Sequence, residues 1–175
     1  MIPTLVKECS QYLETSAGCP LLKNLPTHSD GFRKVKVRKK KKLNSSFIEH
    51  FNEVFEDHDD LFQRAIFASS TVPVPQAHEE IEPFYIFPID GFKFVYAENV
   101  SNTSDTYKEV FDKLMQNLDN SQGIEIFLDV LRFNYKKDDL AHGIITGSEI
   151  IIYGIPYYYA IRKSIIDDYR KFFYD

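Results

Sequence analysis

An Asp90-Gly91 dipeptide sits between two apolar, aromatic runs, Phe84-Tyr85-Ile86-Phe87-Pro88-Ile89 and Phe92-Lys93-Phe94-Val95-Tyr96. Aromatic and β-branched residues fit a pleated surface, because their broad side chains pack well against cross-strand neighbours. Asp-Gly suits a two-residue turn in which both central positions need positive φ. The spacing therefore predicts a β-hairpin at about 84–97. Pro88 cannot donate to a ladder and pushes the first strand toward an edge or a bulge near the turn. A chain with such a unit at its centre must build antiparallel sheet.

Helical and strand patterns alternate around that unit. Leu5, Cys9 and Leu13 recur at spacing four and predict a short helix over 3–15, ended by Gly18 and Pro20. Residues 20–32 are rich in Pro, Asn, Thr, Ser, Asp and Gly and read as a loop, so that 1–32 forms a helical and loop extension packed on the rest. Ser46 and Glu49 have capping-box spacing ahead of a stripe of Phe47, Phe51, Val54 and Phe55. A second helix restarts at Asp59 or Asp60 and runs through Leu61, Phe62, Ala65 and Ile66. Pro73, Pro75 and Pro83 mark 69–83 as a connection. Val110, Leu114 and Leu118 predict a helix over 105–118, and 124–133 reads as another. Residues 144–147 and 149–153 read as strands. Pro156 is suited to the first position of a terminal helix lined by Tyr157, Ile161, Ile165 and Phe172. The sum is one α+β domain over 1–175, with helices interleaved with a small, mostly antiparallel sheet.

Composition agrees with that size. A 175-residue chain with 43% hydrophobic content is one domain by prior. Fifteen Phe and eleven Tyr with no Trp describe a core built from rings, each burying a large apolar area. The richness in Lys, Asn, Ile, Phe and Tyr fits a gene of low GC content, as in an AT-rich bacterium or a virus. The start of the chain shows no secretory h-region, and no stretch reaches the roughly 18 apolar residues of a membrane span. The expectation is a cytoplasmic protein with no membrane partner, in which Cys9 and Cys19 stay reduced.

One segment names the sign of a partner. Residues 33–42 hold 8 of the chain's 21 Lys and Arg, while 26 Asp and Glu set the net charge at −5. Val35 and Val37 are two apart, which aligns them on one face of a strand but roughly 200° apart on a helix. A strand is thus expected for 33–38, with Lys34, Lys36, Arg38 and Lys40 spaced about 6.6 Å apart on the opposite face. Lys39, Lys41 and Lys42 add diffuse charge in a solvated turn. Arg33 completes the cationic set. Such a row can neutralise phosphates without reading sequence, dock an acidic protein, or simply guard an edge strand against aggregation.

Other constellations point less far. Glu56-Asp57-His58-Asp59-Asp60 concentrates carboxylates and an imidazole, yet neighbours on a helix diverge and no calcium-loop glycine is present. No metal site is expected. His142 and Glu149 are the residues an enzymatic site would use, as an acid–base pair near a strand; His28, His50 and His78 have no partner pattern. Tyr157, Tyr158 and Tyr159 form a candidate interaction patch if exposed, although a core role suits most of them. No phosphate-cradling glycine loop, catalytic Ser-His-Asp spacing or zinc pattern occurs, so no cofactor is expected. The leading expectation is a small non-enzymatic binding protein that contacts a polyanion, nucleic acid first, through the basic strand 33–42. The rivals are a viral or phage-type structural, assembly or inhibitor protein, self-association included, and an enzyme with a site near His142 and Glu149.

Overall fold

The computed structural model describes residues 2–39, 46–55, 61–73, 75 and 80–168. Among them the chain runs α1 (Ile2–Glu8), α2 (Ser10–Thr15), β1 (Leu22–Pro26), β2 (Phe32–Lys36), α3 (Ser46–Val54), α4 (Leu61–Arg64), β3 (Ile66–Ala68), β4 (Ile81–Pro88) and β5 (Lys93–Ala97). It continues with α5 (Thr103–Asn117), α6 (Asn120–Asn134), β6 (Tyr135–Lys136), α7 (Leu140–Ile145), β7 (Ile150–Tyr153), β8 (Tyr157–Arg162) and a 3-10 turn over Lys163–Asp168. The fold is α+β. Two antiparallel four-stranded sheets carry it, one in the order β1-β4-β8-β2 and the other β3-β7-β5-β6.

The second sheet is the middle layer, and its sequence shows why. Ile150 and Ile152 of β7 join a core shared with the first sheet, while Ile151 and Tyr153 join the helices. Phe94 and Tyr96 of β5 divide from Val95 and Ala97 in the same way. Successive strand residues point to opposite faces, so a strand buried on both reads as an unbroken apolar run. A fully buried aliphatic side chain contributes about 1.5–3 kcal/mol, and all three isoleucines of β7 are 0% exposed. On the helical side, Phe51 of α3, Phe55 just past its end and Phe111 of α5 pack with Phe127 and Leu131 of α6. Tyr135 meets both Phe51 and Phe55 edge-on. On the other side α1 and α2 cover the first sheet, where Tyr12 meets Phe87 edge-on at 5.8 Å.

The strands expected at 84–97 form on either side of the Asp90-Gly91 turn, but they do not pair into a hairpin. β4 pairs with β1 and β8, whereas β5 pairs with β6 and β7. The backbone supplies the reason. Only Gly91 has positive φ, at 87°, and Asp90 does not. The twisted two-residue hairpin turn needs both, and the other turn types splay their strands. The second crossing between the sheets repeats the device: Gly154, at φ 84°, lies between β7 and β8.

The terminal helix expected from Pro156 is instead β8, the strand held between β4 and β2. Tyr158, Tyr159, Ala160 and Ile161 are all buried, so both faces are covered and no alternation was visible in the sequence. Residues 144–147 are not strand either. Asp139 accepts from the His142 backbone N–H at 3.0 Å and caps α7, which carries Ile144 and Ile145. The stretch read as loop, 20–32, contains β1. The helices expected at 105–118 and 124–133 are α5 and α6. Phe172 lies outside the described residues.

Candidate functional site

Only the first part of the basic segment is strand: β2 ends at Lys36, short of the 33–38 expected, and Val37, Arg38 and Lys39 continue outside it. Among the described residues β2 pairs with β8 on one side only, in the register Phe32↔Ile161 through Lys36↔Tyr157, which makes it an edge strand. Val35 and Val37 pack against the core, and Lys34, Lys36, Arg38 and Lys39 are exposed. The alternation of charge and valine thus becomes an alternation of solvent and core. Val37 is fastened past the strand's end by its N–H, which donates to Pro156 O at 2.9 Å.

The cations of the run do three different jobs. Arg33 points with the valines. Its guanidinium lies 4.6 Å from the Phe84 ring centroid and donates to Pro26 O at 3.0 Å, and its Nε is buried without a partner. Lys34 crosses the other face, with Nζ 3.4 Å from the Tyr157 ring centroid and 5.7 Å from that of Tyr159. Both tyrosine hydroxyls donate to Glu8 Oε2, at 3.0 Å from Tyr157 and 2.7 Å from Tyr159. Those two bonds, with the Lys34 charge behind them, hold the Glu8 carboxyl below its usual range. Burial and the Glu8 bond push the Tyr159 phenol up. Lys36 and Arg38 stand apart from such ties: among the described residues neither side chain forms an ion pair or a hydrogen bond. Lys40, Lys41 and Lys42 lie outside the described residues.

The tyrosine triplet is not an exposed patch. Tyr158 is 4% and Tyr159 5% exposed, and half-buried Tyr157 is engaged with Lys34 and Glu8. β8 buries both of its faces, so these rings serve the core.

His142 and Glu149 are not partners. His142 Nε2 lies 3.0 Å from Glu98 Oε1, and Lys136 Nζ donates to Glu98 Oε2 at 2.7 Å. These contacts hold the Glu98 carboxyl below its usual range, Lys136 first and His142 second. Glu149 turns elsewhere, accepting the Thr103 backbone N–H at 2.8 Å at the start of α5. His28 and His50 each face a local carboxylate, Asp30 and Glu53; His78 and the acidic cluster at 56–60 lie outside the described residues. Among the described residues no group of three His, Cys, Asp or Glu could hold a metal ion, and no helix is long and apolar enough to cross a membrane. Sequence reading missed Glu8 and Glu98, because each acts on residues far along the chain.

No protein-family model, characterised protein or solved structure matches the chain.

Proposed function

We propose that the protein is a non-enzymatic binding protein for a polyanion, nucleic acid first, and that β2 with the lysines after it is the contact. The observation that supports this reading is the solitude of Lys36 and Arg38. In a chain with net charge −5, Lys36 at the end of the edge strand and Arg38 just beyond it stand exposed without a carboxylate partner among the described residues. An internal role would have paired them, since acidic residues outnumber basic ones. Phosphates approaching the edge would meet Lys36, Arg38 and Lys39 first, with Lys40, Lys41 and Lys42 adding attraction that falls off over about 10 Å at 0.1 M salt. Lys34 and Arg33 serve the fold rather than the contact.

Titration of the protein with labelled single-stranded and duplex oligonucleotides across a salt series tests the reading. Log affinity should fall linearly with log salt, by roughly 0.7–0.9 per phosphate neutralised. Replacing Lys36, Arg38 and Lys39 together with Gln should lower that slope by two to three such increments. Absence of binding at low salt, or an unchanged slope in the triple variant, overturns it. Capture of an acidic polypeptide with no affinity for either oligonucleotide would replace nucleic acid by a protein partner.

A further inference from the structure

A cleft of about 630 Å³ opens where the two sheets meet, beside the bridge that joins Leu22 to Ser69. Two opposite charges line it. Lys23, from β1, reaches across to donate from Nζ to Phe67 O at 2.9 Å, which among the described residues leaves two of its three protons uncommitted. Glu149 occupies the other wall, with Oε2 bound to the Thr103 N–H and Oε1 without a partner among the described residues. The two groups feel each other: burial pulls the Lys23 ammonium below its ordinary range, and the Glu149 charge acts in the opposite sense. Yet they form no ion pair. An ammonium and a carboxylate that share a cleft without touching leave a gap with a positive and a negative end.

That gap discriminates by charge. A lone anion at Lys23 would face the Glu149 carboxylate, and a lone cation at Glu149 would face the Lys23 ammonium. A molecule carrying both charges a short distance apart meets each with its opposite, and charge-assisted hydrogen bonds are about twice as strong as neutral ones. The remaining wall includes Phe67, Val72 and Pro73, which suits an apolar substituent. We propose that the cleft binds a free α-amino acid with an apolar side chain. Its carboxylate sits on Lys23, its ammonium on Glu149 Oε1, and its side chain against Phe67, Val72 and Pro73. This site is separate from the basic edge and does not depend on nucleic-acid binding.

The test titrates the full chain with leucine and phenylalanine by calorimetry and thermal shift. N-acetyl-leucine, which lacks the ammonium, and leucinamide, which lacks the carboxylate, are titrated in parallel. Free amino acids should bind saturably and raise Tm, while each capped form should bind about tenfold or more weakly. Lys23→Met and Glu149→Gln should each abolish the effect, provided the variants retain their secondary structure by circular dichroism. The capped analogues are measured on the unaltered protein, so a variant that fails to fold does not remove the test. No binding of free amino acids at millimolar concentration overturns the proposal. So does equal binding of capped and free forms, or binding indifferent to both substitutions in folded variants.

Discussion

Gln11 and Asp90 clasp each other across 79 residues of chain: the Gln11 backbone N–H donates to Asp90 Oδ1 at 2.8 Å, and Gln11 Oε1 accepts from the neighbouring Gly91 N–H at 2.8 Å. Ser10 Oγ adds a bond to Asp90 Oδ2 at 2.7 Å, and the Asp90 N–H donates to Glu8 O at 2.6 Å. The arrangement is a helix cap supplied from a distance. The residue before α2 is Cys9, whose side chain makes no capping bond, so the Gln11 amide in the first turn of α2 takes its acceptor from the turn between the sheets.

Asp90→Ala should therefore destabilise the fold by about 1–2 kcal/mol, although the position is solvent-exposed. Chemical denaturation would show a lower midpoint with an unchanged slope. An effect within about 0.5 kcal/mol, the range of an ordinary surface substitution, would show that the clasp is not a cap in energetic terms.

The basic strand should separate into stability and binding residues. Arg33→Gln removes a half-buried guanidinium from Phe84 and Pro26 and should cost about 1–3 kcal/mol of stability. The salt slope of any oligonucleotide binding should stay as it was. Lys36→Gln should do the reverse, with stability within about 0.5 kcal/mol of the parent and a shallower slope. Denaturation and salt titrations on the two variants decide it.

Alkali should unfold the protein over a defined window. Burial pushes the phenols of Tyr107 and Tyr158 up to about 12, and those of Tyr135 and Tyr159 are also raised, Tyr135 by burial first. In the unfolded chain these groups lose their protons near 10. Between 10 and about 12 the folded state thus holds protons the unfolded state has released, and stability falls as pH rises. The contribution is full below pH 10. Denaturation midpoints measured from pH 8 to 12, with tyrosinate absorbance followed in parallel, should show this decline, and Tyr135→Phe should make it less steep.

Two glycines should respond to alanine with opposite signs. A Cβ at Gly143 would stand 2.9 Å from two atoms of the buried Tyr96 ring and 3.0 Å from Ile150 Cδ1. Neither can retreat in a packed core, so Gly143→Ala should cost about 1–3 kcal/mol. At Gly123, in the first turn of α6, the near clash is with Met115 Cε, the end of a flexible side chain. Gly123→Ala should stabilise by up to about 1 kcal/mol through helix propensity. Thermal unfolding of the two variants measures both.

Sequence alone determined part of the local elements, α5, α6 and the start of the basic strand among them, and the sign of the charge on that strand's exposed face. Val110, Leu114 and Leu118 announce α5 by their spacing, while the caps that Asn102 and Asp119 place on Asp105 N and Gln122 N were seen only in the structure. The alternation around Val35 announces the strand that ends at Lys36, with Lys34 and Lys36 on its exposed face, because period-2 alternation survives wherever one face is wet and the other dry. Asp90-Gly91 and Gly154 mark the turns. The fates of Arg33 and Lys34 were not legible, since they depend on Phe84 and on Tyr157 and Glu8, which the chain brings together only on folding. Tertiary structure alone decided that each turn joins two sheets instead of closing a hairpin, that 157–162 is a strand instead of a helix, and that His142 and Glu149 face different partners. The physical reason is shared. Strands buried on both faces lose the alternation that reveals them, the φ of Asp90 is set by the strands it connects, and charged groups choose partners by distance in space.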